Sequence, residues 1–170
     1  MLCEDISDID LNNIIIMDPI KNNVLQESYF YKINYYNNII IYNGLYLHFE
    51  LNYLELSNDR ITYNIDENLN IFHELLKIEN DILNIINIQK KKNFKIKEII
   101  DKNYIKYNNI DINSNINLNN INNFKNINKK FNNIDLILKI SGIWKTNENY
   151  GLTFKFLICN KYLSIGWKYR

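Results

Sequence analysis

Between positions 45 and 51, Leu45, Leu47, Phe49 and Leu51 alternate without a break with Tyr46, His48 and Glu50. A period of two puts the first set on one face of an extended strand and the second on the other. This segment therefore belongs half-buried in a sheet and not on a helix. The same period returns near the C-terminus. Leu136, Leu138 and Ile140 alternate with Ile137, Lys139 and Ser141. Leu152, Phe154, Phe156 and Ile158 then alternate with Thr153, Lys155 and Leu157. Gly142 and the polar run 145–149 mark a turn, so this pair reads as a hairpin with bases on the outer face of both strands.

The remaining elements follow from local pattern. Residues 28–36 are rich in aromatics of high strand propensity and precede a turn at Asn37-Asn38. A second strand region covers 39–51, in which Asn43-Gly44 is either a kink or the hairpin turn itself. A third strand fits 53–56 or 60–65, with a bend at 57–59. From Asp66, a suitable N-cap, the period becomes helical through Phe72, Leu75, Leu76, Ile82, Leu83 and Ile86. Glu79 interrupts that stripe and predicts a bend or an exposed patch. The helix is expected to end near Lys90-Lys91-Lys92, where bases offset the partial negative charge of a helix C-terminus. A shorter helix is expected over 95–103. The Asn-rich stretch 108–133 holds neither period and reads as a flexible insertion.

The string predicts a β-rich (all-β/α+β) fold, a five-stranded OB-fold barrel with a helix between strands 3 and 4. A mixed α+β sandwich would give the same string. The expected division is an acidic segment over 1–26, the barrel over 27–158 with its insertion at 108–133, and a basic, aromatic tail over 159–170.

The chain has 170 residues, enough for one domain, and 46% of them are hydrophobic, which excludes a fully disordered protein. Ile and Asn supply 33 and 34 of those positions, and Ala is absent. Codons for Ile, Asn, Lys and Tyr are AT-rich, so much of this bias belongs to the genome and a single Asn or Ile carries little weight. Two cysteines, Cys3 and Cys159, do not make a disulfide scaffold. The acidic first twenty residues do not resemble a secretory or mitochondrial leader. No stretch approaches the roughly 18 uncharged apolar residues of a membrane span. A soluble, intracellular protein is expected.

The net charge of +1 hides an asymmetry. Residues 1–89 carry 4 bases and 14 acids, a balance of −10, and residues 90–170 carry 16 bases and 5 acids, a balance of +11. Such a split points to a polyanion partner, or to halves that neutralise each other in the fold.

Catalytic chemistry finds little support. The two histidines, His48 and His73, and the two cysteines show no zinc-ligand spacing. Glycines at 44, 142, 151 and 166 do not form a phosphate loop. No enzyme activity, no metal and no cofactor are expected. Binding a single strand asks for cations to meet phosphates and exposed aromatic faces to meet bases. Lys139, Lys145 and Lys155 lie on or beside the same hairpin as Trp144 and Tyr150, and strand parity turns Phe30, Lys32, Tyr36 and Tyr46 outward on the first hairpin. These nine residues are the candidate nucleic-acid-binding set, and packing within the sheet is the competing role for each aromatic. Two arginines among twenty bases leave little capacity for bidentate reading of base edges. Point-charge contacts to phosphate, little sequence preference and strong salt dependence are expected.

Two segments resemble single-stranded DNA-binding proteins of large cytoplasmic DNA viruses and of the linear killer plasmids of yeast cytoplasm. One is Tyr31-Lys-Ile-Asn-Tyr-Tyr-Asn-Asn38 with Leu45-Tyr-Leu-His48. The other, more specific, is Leu138-Lys-Ile-Ser-Gly-Ile-Trp-Lys145 with Tyr150-Gly-Leu-Thr-Phe-Lys-Phe156. The resemblance implies an OB-fold strand protector serving replication in the cytoplasm. Carried over by position, it implies contacts at Lys32, Tyr36, Trp144, Lys145 and Lys155. The chain departs from that pattern at Glu50-Leu-Asn-Tyr53, where those proteins often carry a proline-containing segment, and the middle of the chain has no counterpart.

The expected function is therefore coating and protection of single-stranded DNA during replication of an AT-rich extrachromosomal genome, with replication proteins as further partners. The acidic stretch 1–18 is expected to compete for the basic surface or to dock such a partner. The alternatives are an interaction subunit of a transcription or replication assembly, which would use the aromatics as interface anchors, and an RNA-binding OB-fold protein. Oligomeric state leaves no signature in the sequence.

Overall fold

The computed structural model describes residues 3–22, 27–57, 60–108 and 129–158. The chain is β-rich, with eleven strands among these residues in one mostly antiparallel sheet, where five strands were expected. The tail 159–170 and most of the Asn-rich stretch lie outside the described residues.

The acidic N-terminal segment contributes three short strands, β1 (Glu4–Asp5), β2 (Ile14–Ile16) and β3 (Ile20–Lys21). β4 (Tyr29–Tyr36) and β5 (Ile41–Asn43) form a hairpin, and β5 leads straight into β6 (Leu45–Leu56). Gly44 between them has φ +100°, and a Cβ there would stand 2.8 Å from the carbonyl oxygen of Ile140. Positive φ and close backbone approach together require glycine at this kink. The alternation in β6 buries Leu45, Leu47, Phe49 and Leu51 as expected. At Tyr53 the chain adopts φ 48°, which shifts the parity so that Leu54 returns to the core. Residues 53–56 are thus the end of β6, not a separate strand, and β7 (Arg60–Tyr63) pairs with them.

A 3-10 turn over Asp66–Asn68 takes the place expected for a cap at Asp66, and α1 (Leu69–Ile85) begins after it. The side chain of Asn68 is unavailable for capping because it serves β6. It accepts the Asn52 backbone N–H (2.8 Å) and donates to the Asn52 carbonyl (2.9 Å), standing in for a neighbouring strand. Glu79 neither bends nor exposes the helix: it is fully buried. Its carboxylate accepts the N–H groups of Ile96 (2.8 Å) and Lys97 (3.1 Å) at the start of α2 (Lys95–Ile100).

Beyond α1 the lysine run does not finish the helix. β8 (Lys91–Asn93) pairs parallel with β11 (Asn149–Ile158). Lys90 Nζ donates to the carbonyls of Thr146 (3.0 Å) and Asn147 in the turn before β11, and Lys92 Nζ donates to the Asn84 side chain on α1. After α2 comes an unexpected strand, β9 (Tyr104–Asn108). β10 (Lys129–Lys145) starts inside the stretch read as insertion, so residues 129–133 are strand. The two helices therefore lie between β7 and β9, and a further strand separates them from β10.

β6 pairs antiparallel with β7, β7 antiparallel with β9, β9 parallel with β11, β11 antiparallel with β10, and β10 antiparallel with β6. β10 also pairs with β4, which carries β2, β3 and β5, and β1 lies parallel on β6. The inner faces of these strands and the apolar side of α1 share one core. Phe49 meets Phe156 edge-on at 6.3 Å, and Tyr63 packs on Phe72 at 4.8 Å. Among the described residues no helix is long and apolar enough to cross a membrane.

Candidate nucleic-acid interface

Register assembles most of the predicted residues on the outer face of the sheet. Tyr46 on β6 stands opposite Lys139 on β10, and Lys139 stands opposite Lys155 on β11. Cross-strand partners share a face, so these three form one row. Lys139 Nζ lies 5.0 Å from the centroid of the Tyr46 ring, within cation–π range.

A register shift in β10 between Ile140 and Gly142 separates this row from the next. Past it, Gly142 stands opposite both Lys32 on β4 and Thr153 on β11, and Trp144 opposite both Phe30 and Gly151. The glycines make room for the rings. A Cβ on Gly142 would sit 2.4 Å from Phe30 Cζ, and one on Gly151 would sit 2.9 Å from Trp144 Cζ2. Phe30 and Trp144 each rest across a glycine and are half-buried. Lys32 lies between them and the cationic row.

Three of the nine residues fall elsewhere. Successive strand residues point to opposite faces, so Trp144 and Lys145 diverge. Lys145 stands opposite Tyr29 and Tyr150, on the side from which Tyr150 enters the core. Tyr150 is buried, its hydroxyl donates to the Leu83 carbonyl (3.4 Å), and burial pushes its pKa up. It is a packing residue and offers no stacking face. Tyr36 shares the face of Phe30 and Lys32 but lies at the far end of β4, where its hydroxyl donates to the Asn38 carbonyl (3.0 Å).

Along β6 and β10 the same face turns acidic. Glu50 stands opposite Asp135, and the imidazole of His48 lies between two carboxylates. His48 Nε2 is 3.1 Å from Asp135 Oδ1, and Nδ1 is 3.7 Å from Asp5 Oδ2. Burial alone would raise the Asp5 pKa. Hydrogen bonds from the Ser7 backbone (3.0 Å) and hydroxyl (2.8 Å), with His48 beside it, outweigh that effect and lower it. Asp5 thus joins β1 to His48, one row along β6 from the Tyr46–Lys139 pair.

A second cationic group escaped the sequence reading because it needs β9. Arg60 on β7 lies 4.9 Å above the Tyr104 ring and stands opposite Lys106. Lys130, Glu55, Thr62 and Tyr104 follow one another across β10, β6, β7 and β9. The available signal was the short alternation of Tyr104, Ile105 and Lys106, in which only Ile105 is buried. Among the described residues no group of three or more His, Cys, Asp or Glu side chains is placed to hold a metal ion. Cys159 lies outside the described residues.

Comparison with family models, with curated proteins and with solved structures finds no match.

Proposed function

We propose that this chain binds single-stranded DNA without an enzymatic step, on an OB-type barrel made of β6, β7, β9, β11 and β10. The support for the barrel is the cycle of five pairings that leaves β6 and returns to it, the connectivity closure requires. Its helices fall between the second and third strands of the cycle in chain order, not between the third and fourth.

The observation that carries the binding reading is the outer-face row Tyr46–Lys139–Lys155, continued by Lys32, Phe30 and Trp144. Lysines neutralise phosphates, and rings offer faces to bases at roughly 1–3 kcal/mol per stacked base. Lysine meets phosphate as a point charge, and two arginines among twenty bases leave little bidentate reading of base edges, so affinity is largely independent of sequence. The charge split of the chain and its bias toward residues with AT-rich codons support a role in coating strands during replication of an AT-rich extrachromosomal genome in the cytoplasm.

Fluorescence anisotropy of a labelled 30-nucleotide poly-dT tests the reading, with a duplex of equal length and two salt concentrations in parallel. Submicromolar binding to the single strand, weaker duplex binding and a steep salt slope are expected. Absence of binding at low salt would falsify the proposal and direct attention to protein partners.

A further inference from the structure

Beside the lysine row, β4 carries a small three-stranded sheet with β2 and β5 whose outer face is unusually apolar for a surface. Ile15, Asn34 and Asn43 stand in one row, and Tyr36 and Ile41 in the next. Met17, two residues beyond Ile15, donates its N–H to the Lys32 carbonyl (2.9 Å) and extends the face toward the lysines. Ile15, Met17, Tyr36 and Ile41 are 38%, 44%, 39% and 58% exposed, and Ile39 at the hairpin tip is 75% exposed. Contiguous exposed apolar surface of this kind marks an interaction site.

The tip is held in place. Asn37 Oδ1 accepts the Ile40 N–H (3.1 Å), Asn37 Nδ2 donates to the Tyr42 hydroxyl (2.8 Å), and Tyr36 is tied to Asn38. At the centre of the face, Asn34 Oδ1 is the one buried side-chain oxygen among the described residues without a hydrogen-bond partner. An acceptor left unmatched in this way is costly to the fold.

We infer that this face is a base-docking platform, and that it takes the unpaired bases of the same strand whose phosphates lie on Lys32, Lys139 and Lys155. The inference rests on the strand-binding reading above. Phe30 and Lys32 belong to both surfaces, so a strand crossing the lysine row runs directly onto β4. With Lys32 its single cation among the described residues, the face is poorly suited to follow a phosphate backbone. Aromatic rings at Phe30 and Tyr36, with Ile15, Met17 and Ile41 beside them, suit the flat apolar faces of bases. From Phe30 to Tyr36 the platform is about 20 Å long, room for several bases.

The test compares the full chain with the double variant Ile15→Asn/Ile41→Asn and with Ile41→Ser alone, each shown to be folded by an unchanged thermal transition. Poly-dT affinity is expected to fall about tenfold in the double variant with the salt slope unchanged, because the slope counts phosphate contacts and bases contribute none. In the unaltered protein, photocrosslinking to an oligonucleotide carrying 5-bromodeoxyuridine is expected to label Tyr36. Retained affinity with no label on Tyr36 overturns the platform and leaves the strand-binding reading standing. Loss of a sedimenting dimer in the variants, with poly-dT affinity intact, overturns it in favour of a second copy of the chain. Failure of the unaltered protein to bind poly-dT overturns both.

Discussion

The carboxylate of Glu79 reaches across from α1 to the backbone of Ile96, accepting its N–H at 2.8 Å while its second oxygen takes Lys97 at 3.1 Å. A fully buried acid in an apolar helix face thereby supplies the acceptors that the first turn of α2 lacks. Removing it by Glu79→Ala leaves buried N–H donors unmatched, and a loss of about 3 kcal/mol is expected in urea unfolding.

Burial raises the Glu79 pKa above its ordinary value of 4.5, against the lowering effect of the N–H groups of Ile96, Lys97 and Lys95. Between the ordinary value and the folded one, the folded state holds a proton that the unfolded chain has released. Stability is expected to fall as pH rises from about 4.5 through the folded pKa, and to level off above it. Urea midpoints measured across that window should show this slope in the unaltered protein, and Glu79→Gln should remove it.

Asn68 holds β6 at the point where its parity changes. Its amide satisfies both the N–H and the carbonyl of Asn52 and also donates to the Asn64 carbonyl (2.9 Å). Asn68→Ala is expected to cost about 2 kcal/mol. Asn68→Asp keeps the acceptor but loses both donations, and should remain clearly destabilised in the same thermal or urea experiment.

Gly142 is expected to tolerate no side chain. The added carbon of Gly142→Ala would meet Phe30 Cζ and the Tyr31 carbonyl oxygen, both at 2.4 Å. A loss of about 2 kcal/mol is expected from strain of this kind. The carbonyl cannot retreat as a ring can, so adding Phe30→Leu should recover only part of it. Full recovery in the double variant would show that the ring alone occupied the space.

The lysines of β10 and β11 should behave differently in DNA binding. Lys139→Ala and Lys155→Ala are each expected to lower the single-strand salt slope by about 0.7, the share of one phosphate contact. Lys145→Ala should change poly-dT affinity by less than about twofold, because Lys145 stands with Tyr29 and Tyr150 and away from the row. Equal losses at all three positions would place the strand elsewhere.

Much of the architecture is determined by the sequence alone, and the reason is periodicity. The inner faces of β6, β10 and β11 and the apolar stripe of α1 each repeat long enough for the period to identify element and face together. The outward set of Tyr46, Lys139 and Lys155 follows from the same parity. Elements of two to five residues, such as β1, β3, β8 and β9, are too short to carry a period and exist only because a longer strand offers them an edge. That is why the three-residue alternation at Tyr104, Ile105 and Lys106 was too brief to identify β9, and with it the Arg60–Tyr104 pair.

Tertiary structure also decided which polar and aromatic side chains are inside. Glu79 reads as a solvent residue until α2 is present to donate to it, and Tyr150, for which stacking and packing are both open in the sequence, becomes a packing residue where α1 supplies the Leu83 carbonyl. Lys90 and Lys92 read as free charge until the β10–β11 turn and α1 present their acceptors. In each case the deciding partner lies at least eight residues away in the chain, beyond the reach of any local pattern. A repeating pattern specifies which way a side chain points, and only the assembled fold specifies what it meets there.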